Sequence, residues 1–206
     1  MEITDIFKPK SKEDILKDLK KMTPTQILIK SVEIGYIPGF RLALKRRANI
    51  NTKQGAILKH ASCHCNLKVV KFLLDNGADV HAQDDEALKI ASRYNKKNNV
   101  KLLLDRGANV HAGDDMALIL AMEDNHKDIV KLLLDNGADV HTGNDFCLRV
   151  ASQNGYLEVV KLLLKYGANI HAKNDEALEL AFSHKHKSVV KLLLDNGADR
   201  NILENL

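Results

Sequence analysis

Several groups of residues in this chain are of types that can do chemistry. The densest is His60, Cys63, His64 and Cys65, four metal-ligand types within six residues. Zinc takes Cys and His ligands. The spacing argues against a zinc site. Adjacent residues 64 and 65 cannot both turn inward with 60 and 63 without distorting a helix end, and no second ligand pair recurs downstream. No metal is therefore expected. The chain holds three cysteines, too few for a disulfide framework, and reduced thiols in an intracellular setting fit best.

A second group is a ladder: His81, His111, His141 and His171, thirty residues apart. Stacked helical units sit roughly 10 Å apart, whereas zinc needs nitrogen near ~2 Å, so two rungs cannot share a metal. The imidazoles read as loop residues that hydrogen-bond through two ring nitrogens, and a pH-sensitive row is the lesser alternative. A third group, Lys71, Lys101, Lys131, Lys161 and Lys191, could meet phosphates. Asp75, Asp105, Asp135 and Asp195 follow four residues later, so that face is mixed in charge. No aromatic residues interleave for base stacking, which argues against a nucleic-acid partner. The sequence has no Gly-rich phosphate loop, no nucleophile elbow and no singular pair of acids. Its carboxylates recur with the same period as everything else, which marks them as structural. No enzyme, catalytic residue or cofactor is expected.

The elements behind these ladders are repeats. The stretch 159–172, VVKLLLKYGANIHA, has near-copies at 69–82, 99–112, 129–142 and 189–201, and Gly77, Gly107, Gly137, Gly167 and Gly197 fall thirty residues apart. A fixed period of this size means stacked units that bury their apolar faces against one another. The expectation is an all-α solenoid of helix-turn-helix units. Apolar residues make up 45% of the chain and aromatics 4% with no Trp, so its core is aliphatic.

The repeat predicts a helix A near 56–63, 86–93, 116–123, 146–153 and 176–183, and a helix B near 67–75, 97–105, 127–135, 157–165 and 187–195. Helix A carries a Leu–Ala pair, from Leu58/Ala61 through Leu88/Ala91, Leu118/Ala121 and Leu148/Ala151 to Leu178/Ala181. The Ala lets neighbouring helices approach. Helix B is apolar nearly all round and ends on the glycine. Asp85, Asp115, Asp145 and Asp175 precede helix A and are expected to cap it. Cys65 and Lys185 stand where sister repeats carry Gly or Asn, at a turn that wants a left-handed residue. Arg47 likewise replaces the recurring glycine.

Upstream, residues 1–10 read as loose. Ser11 to Asp14 starts a short amphipathic helix over 12–21, and Thr23, Pro24 and Gln26 start the next. The expected division is a segment with a capping helix over 1–22 and a repeat domain over 23–206. Its units lie near 25–54, 55–84, 85–114, 115–144, 145–174 and 175–206, the first of them degenerate. Residues 1–54 carry a net charge of +6 and the remainder −2. The basic portion could favour an acidic partner, but a solvated capping surface is the simpler reading. No signal peptide and no membrane span are visible.

The VVxLLLxxGA(D/N)(V/I) block in five copies, together with LxxA in helix A, resembles the ankyrin repeat over about residues 25–206. The wording GADVHA at 77–82, with His for the family's usual Asn, is further similar to ankyrin proteins of very large DNA viruses. The period departs from the family's 33 residues by three, lost between Ala82 and Leu88 and in the equivalent loops. The Thr-Pro-Leu-His motif survives only as Thr23-Pro24. The resemblance therefore implies shortened β-hairpin fingers. It also implies a non-enzymatic module that binds a protein partner on its concave helix A face. Location inside a cell, cytoplasmic or nuclear, would follow, in a host cell if viral.

Binding should use positions that vary while the frame stays constant: Gln83, Glu86, Lys89, Arg93, Met116, Ile119, Glu123, Phe146, Arg149, Gln153, Lys173, Glu176 and Glu179. Met116, Ile119 and Phe146 put apolar side chains where sisters carry charge, and a central apolar patch rimmed by charge resembles an interface core. Phe146 and Arg149 are the expected anchors. The alternative is that Phe146 and Met116 fold over the shortened loops. A structural or self-associating scaffold is the rival function. It rests on Phe182, which stands where sisters have Ser or Met and could cap the last unit or pair with another chain. A monomer is the expected state.

Overall fold

The structure is a computed structural model that describes residues 11–64 and 66–205. The expected loose segment 1–10 and the expected strain at Cys65 lie outside the described residues. The helices fall into two compact units, Met1–Asp79 and Val80–Leu206.

The first unit opens with α1 (Lys12–Lys20), capped by the Ser11 hydroxyl, which accepts from the Asp14 backbone N–H. Helix α2 (Pro24–Glu33) begins with the reciprocal pair foreseen at Thr23 and Gln26: each side chain accepts from the other residue's backbone N–H. Helix α3 (Ile37–Lys45) crosses α2 where Gly39 meets Ser31. A Cβ on Gly39 would stand 2.1 Å from the Ser31 hydroxyl and 3.0 Å from Leu19 Cδ1, so a larger residue there would have to displace the Ser31 side chain. Arg47 is left-handed at φ 61°, as the position demands of whatever residue occupies it. Helices α4 (Thr52–His64) and α5 (Leu67–Asp75) complete the unit.

The second unit is four helical hairpins: α6 (Ala82–Arg93) with α7 (Lys97–Asp105), α8 (Ala112–Glu123) with α9 (Lys127–Asp135), α10 (Thr142–Gln153) with α11 (Leu157–Lys165), and α12 (Glu176–Ser183) with α13 (Lys187–Asp195). A 3-10 helix follows at Arg200–Asn205. Helices α6, α8, α10 and α12 pack in sequence as one row, and α7, α9, α11 and α13 as another. The Leu–Ala pairs Leu88/Ala91, Leu118/Ala121, Leu148/Ala151 and Leu178/Ala181 are all fully buried. Each such Leu contributes on the order of 1.5–3 kcal/mol by leaving water. Each Ala keeps the row close.

The α5, α7, α9, α11 and α13 bounds coincide with the expected helix B ranges. The connection into helix A differs from expectation. No strand forms among the described residues, so the fingers are gone rather than shortened. In their place stand three consecutive left-handed residues: Gln83, Asp84 and Asp85, then Gly113, Asp114 and Asp115, Gly143, Asn144 and Asp145, and Lys173, Asn174 and Asp175. Left-handed backbone costs most side chains about 1–2 kcal/mol per residue, and Gly, Asn and Asp least. Those three types fill ten of these twelve positions.

This turn also corrects the expected role of the aspartates. They do not cap helix A; Asp175, which holds the N-cap position of α12, makes no side-chain cap bond. The left-handed turn points each carboxylate inward. Asp85, Asp115, Asp145 and Asp175 are only 3–6% exposed. Each accepts the backbone N–H twenty-four residues on: Asn109 at 2.9 Å, Asp139 at 2.8 Å, Asn169 at 2.7 Å and Asp199 at 3.3 Å. Each also accepts from the Nδ1 of the ladder histidine four residues earlier, at 3.1–3.2 Å. The histidines are thus hydrogen-bonding loop residues, and their fixed partner is a carboxylate of their own loop.

Removing the Asp115 carboxylate leaves the Asp139 N–H without its acceptor. Asp115→Ala is expected to lower unfolding free energy by about 1–2 kcal/mol in urea denaturation, and Asp115→Asn, which keeps an acceptor, by less than half of that. Equal losses for the two variants would show that bulk, not the hydrogen bond, matters there.

Candidate interaction surface on α6, α8, α10 and α12

All thirteen residues singled out by variation between repeats lie in the second unit, on the outward side and ends of the helix A row and in the turns that start it. At the first right-handed position of each helix stand Glu86, Met116, Phe146 and Glu176. Met116 is 37% exposed; Phe146 and the two glutamates are half-buried. One turn further come Lys89, Ile119, Arg149 and Glu179. Ile119 is half-buried and Glu179 exposed. At the carboxyl ends Arg93 and Glu123 are exposed and Gln153 is half-buried, while Gln83 and Lys173 are exposed in the turns.

Met116, Ile119 and Phe146 therefore occupy adjacent helices α8 and α10 with apolar surface open to solvent. Charge flanks them. Lys89 Nζ pairs with Asp84 at 2.8 Å and Lys173 Nζ approaches Glu176 at 3.8 Å. Arg93 stands 3.9 Å from Asp124.

Arg149 departs from the role expected of it. It is 8% exposed and makes three hydrogen bonds, one from each nitrogen. Its Nε donates to the Asn144 carbonyl and its Nη2 to the Gly143 carbonyl, each at 3.2 Å, closing the left-handed turn of its own repeat. Its Nη1 donates to Glu176 at 3.0 Å, reaching the start of α12. The Phe146 ring lies against the guanidinium, 5.6 Å from centroid to Cζ. A planar fork with several fixed donors suits this work, and lysine would not replace it. Arg149 is a buried tie within the fold, in contact with Phe146.

A further set of ties was missed in the sequence. His126, Tyr156 and His186, each just before helix B, donate to the carbonyls of Arg93, Glu123 and Gln153 at 2.8, 3.3 and 2.9 Å, thirty-three residues back. The signal was present as a polar ring at one column. Gly155 shows how tight this joint is, because a Cβ there would stand 2.5 Å from the His186 ring. Lys185 adopts the left-handed φ of 62° expected at the equivalent turn.

The groups with chemical potential are accounted for by packing. His64 stacks on His60 at 4.4 Å and Cys63 is buried, its Sγ 3.4 Å from the His60 carbonyl. Burial and the neighbouring His64 hold the His60 imidazole below its ordinary pKa, partly offset by Glu33. Among the described residues no three His, Cys, Asp or Glu side chains are grouped to hold a metal. Two rungs of the lysine ladder are paired locally, Lys161 with Glu158 and Lys131 with Asp135. Asp135 also accepts a hydrogen bond from the Tyr166 hydroxyl; these bonds raise the Lys131 pKa and lower that of Asp135. Among the described residues no helix is long and apolar enough to cross a membrane.

Two outcomes follow from Arg149 and its neighbour Cys147. Arg149→Ala should lower unfolding free energy by about 2–3 kcal/mol, since it frees two carbonyls and the Glu176 carboxylate at once. Burial, reinforced by Asp115, Glu123 and Asp145, pushes the Cys147 thiol up to about 12. The unfolded thiol ionises near the ordinary value of 9.0, so the fold loses stability as pH rises from 9.0 toward about 12. Cys147→Ala should flatten that part of the stability profile, measured by denaturation at stepped pH.

A family model described as Ankyrin repeats (3 copies) matches residues 4–114, 82–144 and 118–203. No curated protein matches the chain.

Proposed function

The chain belongs to the ankyrin-repeat family, and from that premise we propose that the second unit binds a protein partner on the outer face of α6, α8, α10 and α12. Ankyrin repeats are protein–protein interaction modules. The observation that carries the reading is the apolar patch of Met116, Ile119 and Phe146 on two adjacent helices, rimmed by Lys89, Arg93, Glu123, Glu176 and Glu179. An apolar centre with a charged rim is how specific interfaces are built. Met116 and Phe146 are the anchors, and Arg149 contacts Phe146. Gln83, Glu86, Gln153 and Lys173 complete the rim.

The role is non-enzymatic, a reading supported by the ladder histidines and the buried aspartates, which are tied to one another and to backbone N–H groups of the fold. The setting is intracellular, supported by buried free thiols at Cys63 and Cys147. The GADVHA wording at 77–82 supports kinship with ankyrin proteins of very large DNA viruses. A structural or self-associating scaffold is the second reading, favoured by the 44% exposure of Phe182.

The test is partner capture from cell extract, identified by mass spectrometry, with the intact chain and with Met116→Ala plus Phe146→Ala. Capture should fall about tenfold or more, with the melting temperature within about 2 °C of the parent. Unchanged capture with a lowered melting temperature would mean that these side chains only cover the turns. Concentration-dependent sedimentation would instead favour the scaffold.

A further inference from the structure

The face of α12 and α13 that follows Phe182 is a groove of about 770 Å³. Its apolar lining is Phe182, Val190 and Leu194. Phe182 is 44% exposed, whereas the residues in its column, Ser92, Met122 and Ser152, are fully buried. Val190 is half-buried, whereas Val100, Val130 and Val160 are fully buried. In those three hairpins the same face is covered by the next hairpin.

The cover has a definite chemistry. Helix α9, which packs over α7, buries Ile129, Val130, Leu133 and Leu134 and carries Asp128 in its first turn. Asp128 meets Lys97 of the preceding hairpin at 3.1 Å, and one hairpin on, Glu158 meets Lys127 at 3.0 Å. Lys187 occupies the column of Lys97 and Lys127. It has no ion-pair partner among the described residues, and neither do Lys185, Lys191 and Arg200, which share the groove. These four cations face one carboxylate there, Asp195.

We propose that this groove docks an amphipathic helix of a partner protein that carries carboxylates in its first turn and along its flanks. Its apolar stripe takes the place that α9 takes over α7, covering Phe182, Val190 and Leu194. Its first-turn acid meets Lys187 as Asp128 meets Lys97, and its flanking acids meet Lys185, Lys191 and Arg200. The excess of cations selects an acidic helix over a neutral or basic one and steers its approach. This surface is separate from the patch on α8 and α10 and does not depend on it.

The probe is a fluorescent, hydrocarbon-stapled peptide of residues 126–138 with Lys127→Glu and Lys131→Glu. The staple is needed because an isolated helix of this length is marginal. A control peptide keeps the lysines and carries Asp128→Lys and Asp135→Lys. Anisotropy titrations use the full chain. The acidic peptide should bind at least about tenfold more tightly than the control and weaken as salt rises. Phe182→Asp, exposed and so without effect on circular dichroism, should cost at least about tenfold. Lys187→Glu should weaken the acidic peptide and strengthen the control, a charge swap that a fold defect would not produce. Equal binding of both peptides, indifference to Phe182→Asp, or resonance shifts confined to Met116 and Phe146 would overturn the proposal. So would a concentration-dependent dimer abolished by Phe182→Asp, since a second copy would then own the groove.

Discussion

The buried carboxylate at the foot of each helix A is the constraint on which the second unit depends. Asp85, Asp115, Asp145 and Asp175 each hold the backbone of the following loop by one N–H and their own loop by one imidazole. An acceptor that is nearly desolvated and carries charge binds those donors more strongly than a neutral side chain would. Leaving it unmatched would cost more than the bonds gain. The register from one hairpin to the next is therefore set by a polar contact with a fixed direction. The Leu–Ala rows alone would tolerate sliding, because apolar contact is non-directional.

The first unit solves the same problem with different residues, which shows what the constraint is. Asn51 occupies the column of the ladder histidines. Its Oδ1 accepts the Asp79 N–H at 2.8 Å and its Nδ2 donates to the Gly77 carbonyl at 3.0 Å. Gly55 occupies the column of the buried aspartates. One amide thus does what the His–Asp pair does elsewhere. Exchanging Asn for His at this column is workable only when a carboxylate arrives four residues later, and each histidine of the ladder has one. The pair needs the carboxylate turned inward, which three left-handed residues accomplish. The turn itself does not require the pair, since the first unit makes it with left-handed Lys53, Gln54 and Gly55 beside Asn51.

Much of this was legible in the sequence, and the parts that were not have a common reason. Period, helix B bounds, the Leu–Ala pairs and the Thr23–Gln26 cap were readable because each depends on spacing within a few residues. Arg149 was read as an anchor because its column varies between repeats, and its burial was not legible there. Its partner Glu176 lies twenty-seven residues on, in the next repeat. The aspartates were misread as caps for a related reason. An Asp before a helix normally turns outward to the first N–H groups, and only the left-handed backbone redirects it.

Those misreadings bear on where interaction can occur. In a stack of near-identical units, a side chain that differs from its sisters is free for a partner only if no neighbouring unit uses it. Arg149 differs and is used; Lys89 differs and is largely used by Asp84. Met116 differs and stays 37% exposed, and no polar contact ties it to the next hairpin. Lys187 presents the converse case. It does not differ from Lys97 and Lys127, yet it lacks the acid they meet. A residue that repeats the frame while missing the frame's partner is as informative as one that breaks the pattern. It states the chemistry of what the surface would accept, because the same contact is already made twice within the second unit.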